Sequence, residues 1–156
     1  MRSHGEAEGT EGRVWKMSEI LYVSGSNMGM SRIAEGLTRH VAPSVTVISA
    51  GIDVDPDDRG VDEDARRACA EIGARCDGDP LQLTPSLADR ADVVVVLGDI
   101  DVSGHVAPDV ETQRWEIRDP ADDGIRGVER YRRLRDDLRE RIIRVLKDIG
   151  DEPSAR

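Results

Sequence analysis

The chain has 156 residues, which suits one domain with a single hydrophobic core. Its formal net charge of -10 and pI near 4.8 argue against nucleic acid or an anionic membrane surface as a partner, because both are negatively charged. No run of about 18 apolar residues occurs, so we predict no membrane span. The acidic N-terminus lacks the basic and apolar parts of a secretory signal, and we expect a cytoplasmic protein.

The amino-acid composition is unusual. Only Lys16 and Lys147 are lysines among the 22 basic residues, phenylalanine is absent, and aspartates crowd residues 53–58. A lysine-poor, aspartate-rich chain is typical of a high-salt cytoplasm, where salt screens the repulsion between acidic groups. A GC-rich coding bias would favour the same amino acids, so both origins stay open.

The two ends of the chain differ in pattern from its middle. Residues 1–16 are polar and charged and have no periodicity, which predicts a disordered N-terminal tail. Residues 17–150 alternate apolar strands with amphipathic helices, without an internal repeat or a second domain boundary. We therefore expect one domain over 17–150, followed by a short C-terminal tail over 151–156.

A strand, a loop and a helix open the domain. Ile20–Val23 is apolar on both faces and too short for a helix, which predicts a buried parallel strand. Glycines and polar residues interrupt the pattern over 25–29, and Ser31 is a good N-cap for the amphipathic run that follows. We predict a helix that begins near Ser31, with its apolar face at Ile33, Ala34, Leu37 and Val41.

The loop between this strand and helix has the composition of an oxyanion site. Backbone N–H groups and the positive end of the helix dipole would meet there. Such a cradle would consist of Ser24, Gly25, Ser26, Asn27, Met28, Gly29, Met30 and Ser31. An ordinary strand-to-helix turn has a similar composition, so the loop by itself leaves both interpretations open.

The remaining elements continue the alternation. In chain order, the patterns predict a strand over 45–49, a helix over 62–73 capped by Asp62, a short helix over 86–91, a valine-rich central strand over 92–97, an edge strand over 115–117 and a long packing helix over 127–149. Acids interleave with the arginines of the last helix, which predicts a solvated face. We expect an α/β fold of three αβα layers with a four-stranded, mainly parallel sheet.

The first loop and its flanks resemble a known signature, V-C-x-x-N-x-x-R-S-x-x-A-E. It belongs to the low-molecular-weight protein tyrosine phosphatases and the related thioredoxin-coupled arsenate reductases, and its spacing is matched at Val23, Asn27, Ser31, Ala34 and Glu35. The resemblance covers residues 18–149 and implies a flavodoxin-like (phosphotyrosine phosphatase I-like) sheet. It also implies phosphomonoester hydrolysis without a cofactor, and phosphate, sulfate, another oxyanion or a phosphorylated protein as partner.

Two positions depart from that signature. Ser24 stands where the family has its nucleophilic cysteine, and Met30 stands where it has its anion-binding arginine. Oriented amides that ionise a thiol cannot ionise a serine hydroxyl near neutral pH. Losing a nucleophile lowers turnover by a factor on the order of 10⁶, and losing the guanidinium weakens phosphoryl binding. The resemblance therefore predicts a catalytically impaired member, whether Ser24 is natural or engineered.

A second register of the signature is also conceivable. Ser26 and Arg32 stand six residues apart, like the family's cysteine and arginine. That register would lose the matches at Asn27 and Ser31, and its nucleophile would no longer follow the strand directly. Arg32 is either a solvated residue of the first helical turn or a possible contact for a bound anion.

The Asp-Pro pair at 119–120 is a second point of resemblance. In the phosphatases the aspartate of such a pair protonates the leaving group, which implies that Asp119 is a general acid or the relic of one. A plain turn is the alternative interpretation. Members that act on phosphotyrosine usually have aromatic residues next, whereas this chain has Ala121, Asp122 and Asp123, so the resemblance does not extend to a phosphotyrosine pocket.

The cysteines and histidines predict no metal site. Cys69 and Cys76 have neither metal-ligand spacing nor the positions of the reductases' resolving cysteines, and we expect them to be structural. His105 lies in the segment where the reductases carry a cysteine, and we expect a solvated loop residue. Arsenate reduction by a thiol relay is therefore not expected.

Three functions remain open at this stage. The first is an impaired phosphatase relative that binds an oxyanion in its loop, with Asn27 bracing the loop. The second is a slow phosphomonoesterase that uses Asp119 as acid and water or Ser24 as nucleophile. The third is a protein-interaction module without an anion ligand, in which Met28 and Met30 form an apolar patch.

Overall fold

The computed structural model describes residues 7–8, 14–15 and 18–150. Two short strands, β1 (Ala7–Glu8) and β2 (Val14–Trp15), pair antiparallel with each other and form their own two-stranded sheet. The rest of the tail predicted over 1–16, and the tail predicted over 151–156, lie outside the described residues.

The main body of the chain is an α/β unit. Its elements are β3 (Glu19–Ser24), α1 (Met30–Val41), β4 (Thr46–Gly51), α2 (Glu63–Ala70), α3 (Pro85–Arg90), β5 (Val93–Leu97), β6 (Thr112–Trp115), a 3₁₀ turn (Pro120–Asp123) and α4 (Gly127–Asp148). The sheet order is β4-β3-β5-β6, and each pair of neighbours is parallel. The predicted three-layer αβα fold with a flavodoxin-like sheet is confirmed.

Two apolar layers cover the sheet. Side chains alternate between the faces of each strand, so Ile20 and Tyr22 join one buried cluster while Leu21 and Val23 join the other. The first cluster lies under α1, α2 and α4, and the second lies under α3 and the segment 100–110. Strands β3 and β5 are buried along almost their whole length, as their apolar runs predict.

Helix α1 begins one residue earlier than predicted, and its cap is different. The N-cap is Gly29, which has no side chain to accept a hydrogen bond, so the prediction that Ser31 caps this helix is wrong. Ser31 lies inside the first turn and is fully buried. The helix also passes very close to the chain after α2, since a Cβ on Gly36 would lie 2.4 Å from the carbonyl oxygen of Arg75.

The other elements occur where the sequence patterns predict them, but α2 ends at Ala70 rather than at residue 73, β4 runs to Gly51 rather than to residue 49, and β6 is displaced. Asp62 caps α2 by accepting from the N–H groups of Asp64 and Ala65, and α4 ends one residue short of the predicted Ile149. Strand β6 covers 112–115 rather than 115–117, because only these residues lie beside Val94–Leu97 of β5. Within the described part of the chain, no helix is both long and apolar enough to cross a membrane.

Candidate functional site

The loop between β3 and α1 lies at the carboxyl end of the sheet, where parallel α/β sheets place their sites. It packs against the end of β4 and the residues after it. The N–H groups of Ile52 and Asp53 donate to the carbonyl oxygens of Ser24 and Gly25, at 3.1 and 2.9 Å. Glycine is required at Gly51, because a Cβ there would lie 2.7 Å from the Gly25 carbonyl oxygen.

Asn27 braces the loop from inside. Its backbone is in the left-handed region with φ 59°, a conformation that asparagine tolerates better than most residues. Its side-chain amide donates to the hydroxyls of Ser31 and Ser49, at 2.8 and 3.0 Å, and its side-chain oxygen accepts from the Leu81 N–H at 2.9 Å. The side-chain amide can form four hydrogen bonds, and three of them are present. Because the residue is also 1% exposed, these hydrogen bonds give the loop one defined shape.

Ser24 belongs to the same buried network. Its Oγ lies 2.7 Å from the Ser31 Oγ and accepts from the Asn27 N–H at 3.2 Å. Ser49 in turn donates to the Glu35 carboxylate, which pairs with Arg39. Every hydroxyl of the network therefore has a partner, and Ser24 is oriented by hydrogen bonds to neutral groups.

Several loop N–H groups are not used within the fold. Among the described residues there is no acceptor for the N–H groups of Gly25, Ser26, Met28, Gly29, Met30 and Ser31. The first two helical N–H groups lie in this set, and they carry the positive end of the α1 dipole. The arrangement is that of a site for a group with several acceptor oxygens.

Arg32 does not behave as a solvated helix residue. It is 3% exposed, and its guanidinium donates to the carbonyl oxygens of Asn27 and Gly60, at 3.3 and 3.1 Å. It also donates to the carbonyl oxygens of Asp77 and Gly78. The prediction of a solvated side chain is wrong, because these carbonyls replace water around the guanidinium; its contact with an anion stays a prediction.

The methionines of the loop face different surroundings. Met30 is half-buried and packs against the larger apolar cluster at the start of α1. Met28 is also half-buried, and its carbonyl oxygen accepts from the Asp62 N–H at 2.9 Å. The loop thus has no cation at position 30, and the Met30 side chain contributes to the hydrophobic core.

Asp119 lies in a turn with a strong ionic partner. Its carboxylate accepts from Nε and Nη2 of Arg130, at 2.8 and 2.7 Å, and from the Ala121 N–H at 2.9 Å. The bidentate hydrogen bond from Arg130 lowers the pKa of Asp119 below its ordinary value, with the Ala121 N–H adding to the effect. The ion pair thus favours the ionised form of Asp119.

Tyr131 connects this ion pair to the loop. Its hydroxyl lies 3.2 Å from the place that a Cβ on Gly29 would occupy and accepts from Nη1 of Arg130 at 3.2 Å. The Arg130 guanidinium also lies 4.9 Å from the centre of the Tyr131 ring. Burial raises the pKa of Tyr131, and the negative charge of Asp62 acts in the same direction. Loop, Tyr131, Arg130 and Asp119 therefore form one continuous set of contacts.

The sequence patterns did not identify Arg130 or Tyr131 as site residues. Tyr131 fits the apolar periodicity of α4, and Arg130 is one of many arginines on a face predicted to be solvated. The only available signal was their position eleven and twelve residues after Asp119, which becomes meaningful once the Asp119 turn folds back onto α4.

The remaining candidate residues lie apart from the loop. Cys69 and Cys76 are buried in the larger apolar cluster, as predicted, and contact with the Cys69 thiol raises the pKa of Cys76. His105 is half-buried rather than solvated, and its Nδ1 is shielded from water without a partner among the described residues. No group of three metal-ligating side chains occurs within the described ranges.

The chain matches a protein-family model. The model described as "Low molecular weight phosphotyrosine protein phosphatase" matches residues 19–155, which is most of the chain. The match includes the loop, Asp119 and α4.

Solved structures share the fold. The tyrosine phosphatase Wzb from Escherichia coli K30, in complex with sulphate, has a TM-score of 0.73 and 25% identity over 86% of this chain and 99% of its own. A thioredoxin-dependent arsenate reductase from Corynebacterium glutamicum has a TM-score of 0.68 and 24% identity over 85% of this chain, which spans 62% of that protein. The YwlE arginine phosphatase, in a mutant with a phosphorylated active-site serine, has a TM-score of 0.70 and 23% identity over 84% of this chain and 95% of its own.

Proposed function

This chain belongs to the low molecular weight phosphotyrosine protein phosphatase family, and we propose that it is a catalytically impaired member whose loop binds phosphate or a similar oxyanion. One observation carries the proposal: the loop has a braced shape while six of its N–H groups have no acceptor among the described residues. A tetrahedral oxyanion has enough acceptor oxygens to use several of them at once. The sulphate complex of the 25% identical Wzb supports the same class of ligand.

The impairment follows from three residues. Ser24 is a hydroxyl where catalysis needs a thiolate, and its partners Ser31 and Asn27 are neutral, so no general base is next to it. Met30 cannot form a bidentate bond to phosphoryl oxygens. The ion pair with Arg130 lowers the pKa of Asp119, so Asp119 is a poor proton donor in the unliganded site until Arg130 leaves it. Binding is thus retained by the backbone, and the side-chain chemistry of turnover is not.

The binding partner follows from this division. A backbone cradle recognises the phosphoryl group and not what it is attached to, so the ligand is inorganic phosphate, sulfate or a phosphorylated group, including one on a protein. A protein that binds such a group without cleaving it acts as a sensor or an adaptor. The protein would fulfil this role in the cytoplasm.

Calorimetric titration of phosphate, sulfate and arsenate into the protein, with an aryl phosphate assay on the same sample, tests the proposal. We expect saturable binding that weakens as salt is added, without measurable turnover. Gly51→Ala is the loop-deforming variant, because its Cβ would meet the Gly25 carbonyl, and Gly104→Ala is its control, because no atom lies within 4 Å of that Cβ. The absence of both binding and turnover would favour the protein-interaction module, to which Met28 would contribute more surface than Met30, because Met30 packs against the core.

The slow phosphomonoesterase is the second candidate. The Ser24 hydroxyl lies at the carboxyl end of β3 beside the loop N–H groups, and the YwlE mutant with a phosphorylated active-site serine indicates that a serine can accept a phosphoryl group on this fold. Intact-mass measurement after incubation with an aryl phosphate tests this candidate. A mass gain of one phosphoryl group, absent in Ser24→Ala, would favour a slow enzyme over a passive binder.

A further inference from the structure

The oxyanion site has no cation within the loop itself. Met30 occupies the position of the family's arginine and packs on the core, and the Arg32 guanidinium is taken up by four carbonyl oxygens. A dianion bound by amides alone would keep most of its charge uncompensated. A cation from another element would therefore strengthen the site.

Arg130 is a cation placed next to the loop by α4. Its Nη1 donates to the hydroxyl of Tyr131, which itself lies against Gly29, the N-cap of α1. The guanidinium stacks on the Tyr131 ring, which restricts where its side chain can go. Its side chain is 31% exposed, so it is neither buried in the core nor free in solvent.

We propose that Arg130 supplies the guanidinium that binds the oxyanion of the loop, and that Asp119 competes with the oxyanion for it. This inference rests on the proposed function, since it concerns the same ligand. Asp119 holds two donors of Arg130 in a bidentate arrangement, the same arrangement that a phosphate would use. The carboxylate thus occupies the guanidinium until an oxyanion is bound.

The exchange is feasible because the ion pair is accessible to water. The Asp119 side chain is 32% exposed, and water can solvate the carboxylate after Arg130 leaves it. Asp119 also keeps the hydrogen bond from the Ala121 N–H, so its turn stays in place. The charged or titratable groups facing Arg130 are Asp119, Tyr131 and Asp62, and Asp119 alone is bidentate to it.

The inference is tested by titrating inorganic phosphate into the unmodified protein and six variants, five single and one double. Arg130→Gln is expected to weaken binding by about tenfold or more, the effect of losing a hydrogen bond to a charged group. Arg133→Gln is the matched control. It removes the same charge from the same helix, and Arg133 pairs with Glu129 and not with Asp119. Arg130→Lys is expected to recover only part of the affinity, since an ammonium cannot be bidentate.

Asp119→Asn gives the opposite and more specific expectation. It frees Arg130 and should tighten phosphate binding, whereas Asp122→Asn, which removes an exposed charge nearby, should tighten it less. Adding Arg130→Gln to Asp119→Asn should abolish the gain. A purely structural role of the ion pair would predict weaker binding in Asp119→Asn.

The outcomes separate the two proposals. Unchanged binding in Arg130→Gln, or equal losses in Arg130→Gln and Arg133→Gln, would overturn the role of Arg130 and leave the oxyanion site intact. An equal gain in Asp119→Asn and Asp122→Asn would overturn the competition. If neither the unmodified protein nor Asp119→Asn binds phosphate, both proposals fail. Unfolding midpoints of each variant show whether the fold is retained.

Discussion

The loop side and the Asp119 side of the site are built on different principles. On the loop side, neutral groups buried in the protein are bonded to one another, and Asn27 is 1% exposed. On the Asp119 side, one ion pair lies at the surface with about a third of each side chain exposed. The first region is rigid because each polar group depends on the others; the second can exchange partners with water at little cost.

The comparison separates the signature residues that this chain keeps from those that it lacks. The signature residues retained at Asn27, Ser31 and Glu35 all belong to the network that shapes the loop or its support. The two departures, Ser24 and Met30, are at the positions whose side chains would touch the reacting phosphoryl group. Under the proposed function, this chain keeps the residues that shape the loop and lacks the two whose side chains would react with or bind the phosphoryl group.

Restoring the reactive groups is the largest test of that division. In the paired variant Ser24→Cys and Met30→Arg, we expect aryl phosphate turnover to rise by several orders of magnitude, since loss of a nucleophile costs a factor on the order of 10⁶. The retained loop should ionise the new thiol. Turnover is measured by release of the aryl alcohol under saturating substrate.

A third change sharpens this test. Adding Arg130→Gln releases Asp119 from its ion pair, which should let the pKa of Asp119 rise toward its ordinary value and increase its protonated fraction at acidic pH. Saturating substrate offsets the weaker binding expected without Arg130. General acid catalysis contributes a factor of about 10² to 10⁴, so part of this gain should appear. A folded paired variant without turnover would mean that the site has changed beyond these residues.

Removing the brace of the loop should have the next largest effect. Asn27→Gly keeps the left-handed backbone accessible, but it leaves the Leu81 N–H without its acceptor and removes the amide donor from the buried hydroxyls of Ser31 and Ser49. We expect a loss of about 3 kcal/mol in the free energy of unfolding and loss of phosphate binding. Ser26→Gly, at an exposed neighbouring position, is the control and should change stability by less than about 0.5 kcal/mol. Equal effects in urea unfolding would contradict the central role of Asn27.

Adding a methyl group at the end of β4, beside the loop, should destabilise the protein less than the loss of Asn27. In Gly51→Ala, the new Cβ would lie 2.7 Å from the Gly25 carbonyl oxygen and 3.0 Å from the Asn27 nitrogen, so the loop must shift. Overpacking of this kind costs about 1 to 3 kcal/mol. Thermal unfolding measures the loss, and Gly104→Ala should be close to neutral because nothing lies within 4 Å of its Cβ. A stable variant that still binds phosphate would show the loop to be adaptable.

The ion pair should give the smallest effect on stability, and this effect should depend on pH. Because folding lowers the pKa of Asp119, the pair stabilises the protein above the ordinary aspartate pKa of about 3.9, and this stabilisation is lost as pH falls below it. Asp119→Asn should therefore destabilise by less than about 1 kcal/mol at pH 7. In denaturant titrations, the difference from the unmodified protein should shrink as the pH falls below the ordinary aspartate pKa and through the lowered pKa of the folded state. A difference independent of pH would point to the turn and not to the charge.

The sequence predicted the strands and helices that hold the site better than the hydrogen bonds and ion pairs within it. The apolar runs at Ile20–Val23 and at the four valines of β5 identified the central strands, because burial on both faces leaves a pattern in the sequence. The Asp62 cap and the limits of α4 were also predictable from local chemistry. These features depend on neighbours along the chain, where a single sequence carries its information.

Contacts between distant segments left no such pattern. Serine is a favoured N-cap residue, but Ser31 lies within the first turn of α1. There its hydroxyl bonds to the Ser24 hydroxyl and to the Asn27 side-chain amide. Arg32 has the position of a solvated residue, yet carbonyls from beyond residue 59 surround it. The pairing of Asp119 with Arg130 likewise depends on how a turn folds onto α4. Such partners are known only once the chain has folded.

The Arg32 guanidinium has a consequence for the native-state fluctuations of this chain. It bonds at once to the loop at Asn27, to Gly60 before α2, and to Asp77 and Gly78 after it. None of these segments can move away without leaving a buried charge short of partners. Their amides should consequently exchange with deuterium as one cooperative unit, although they are separated by up to 51 residues, from Asn27 to Gly78.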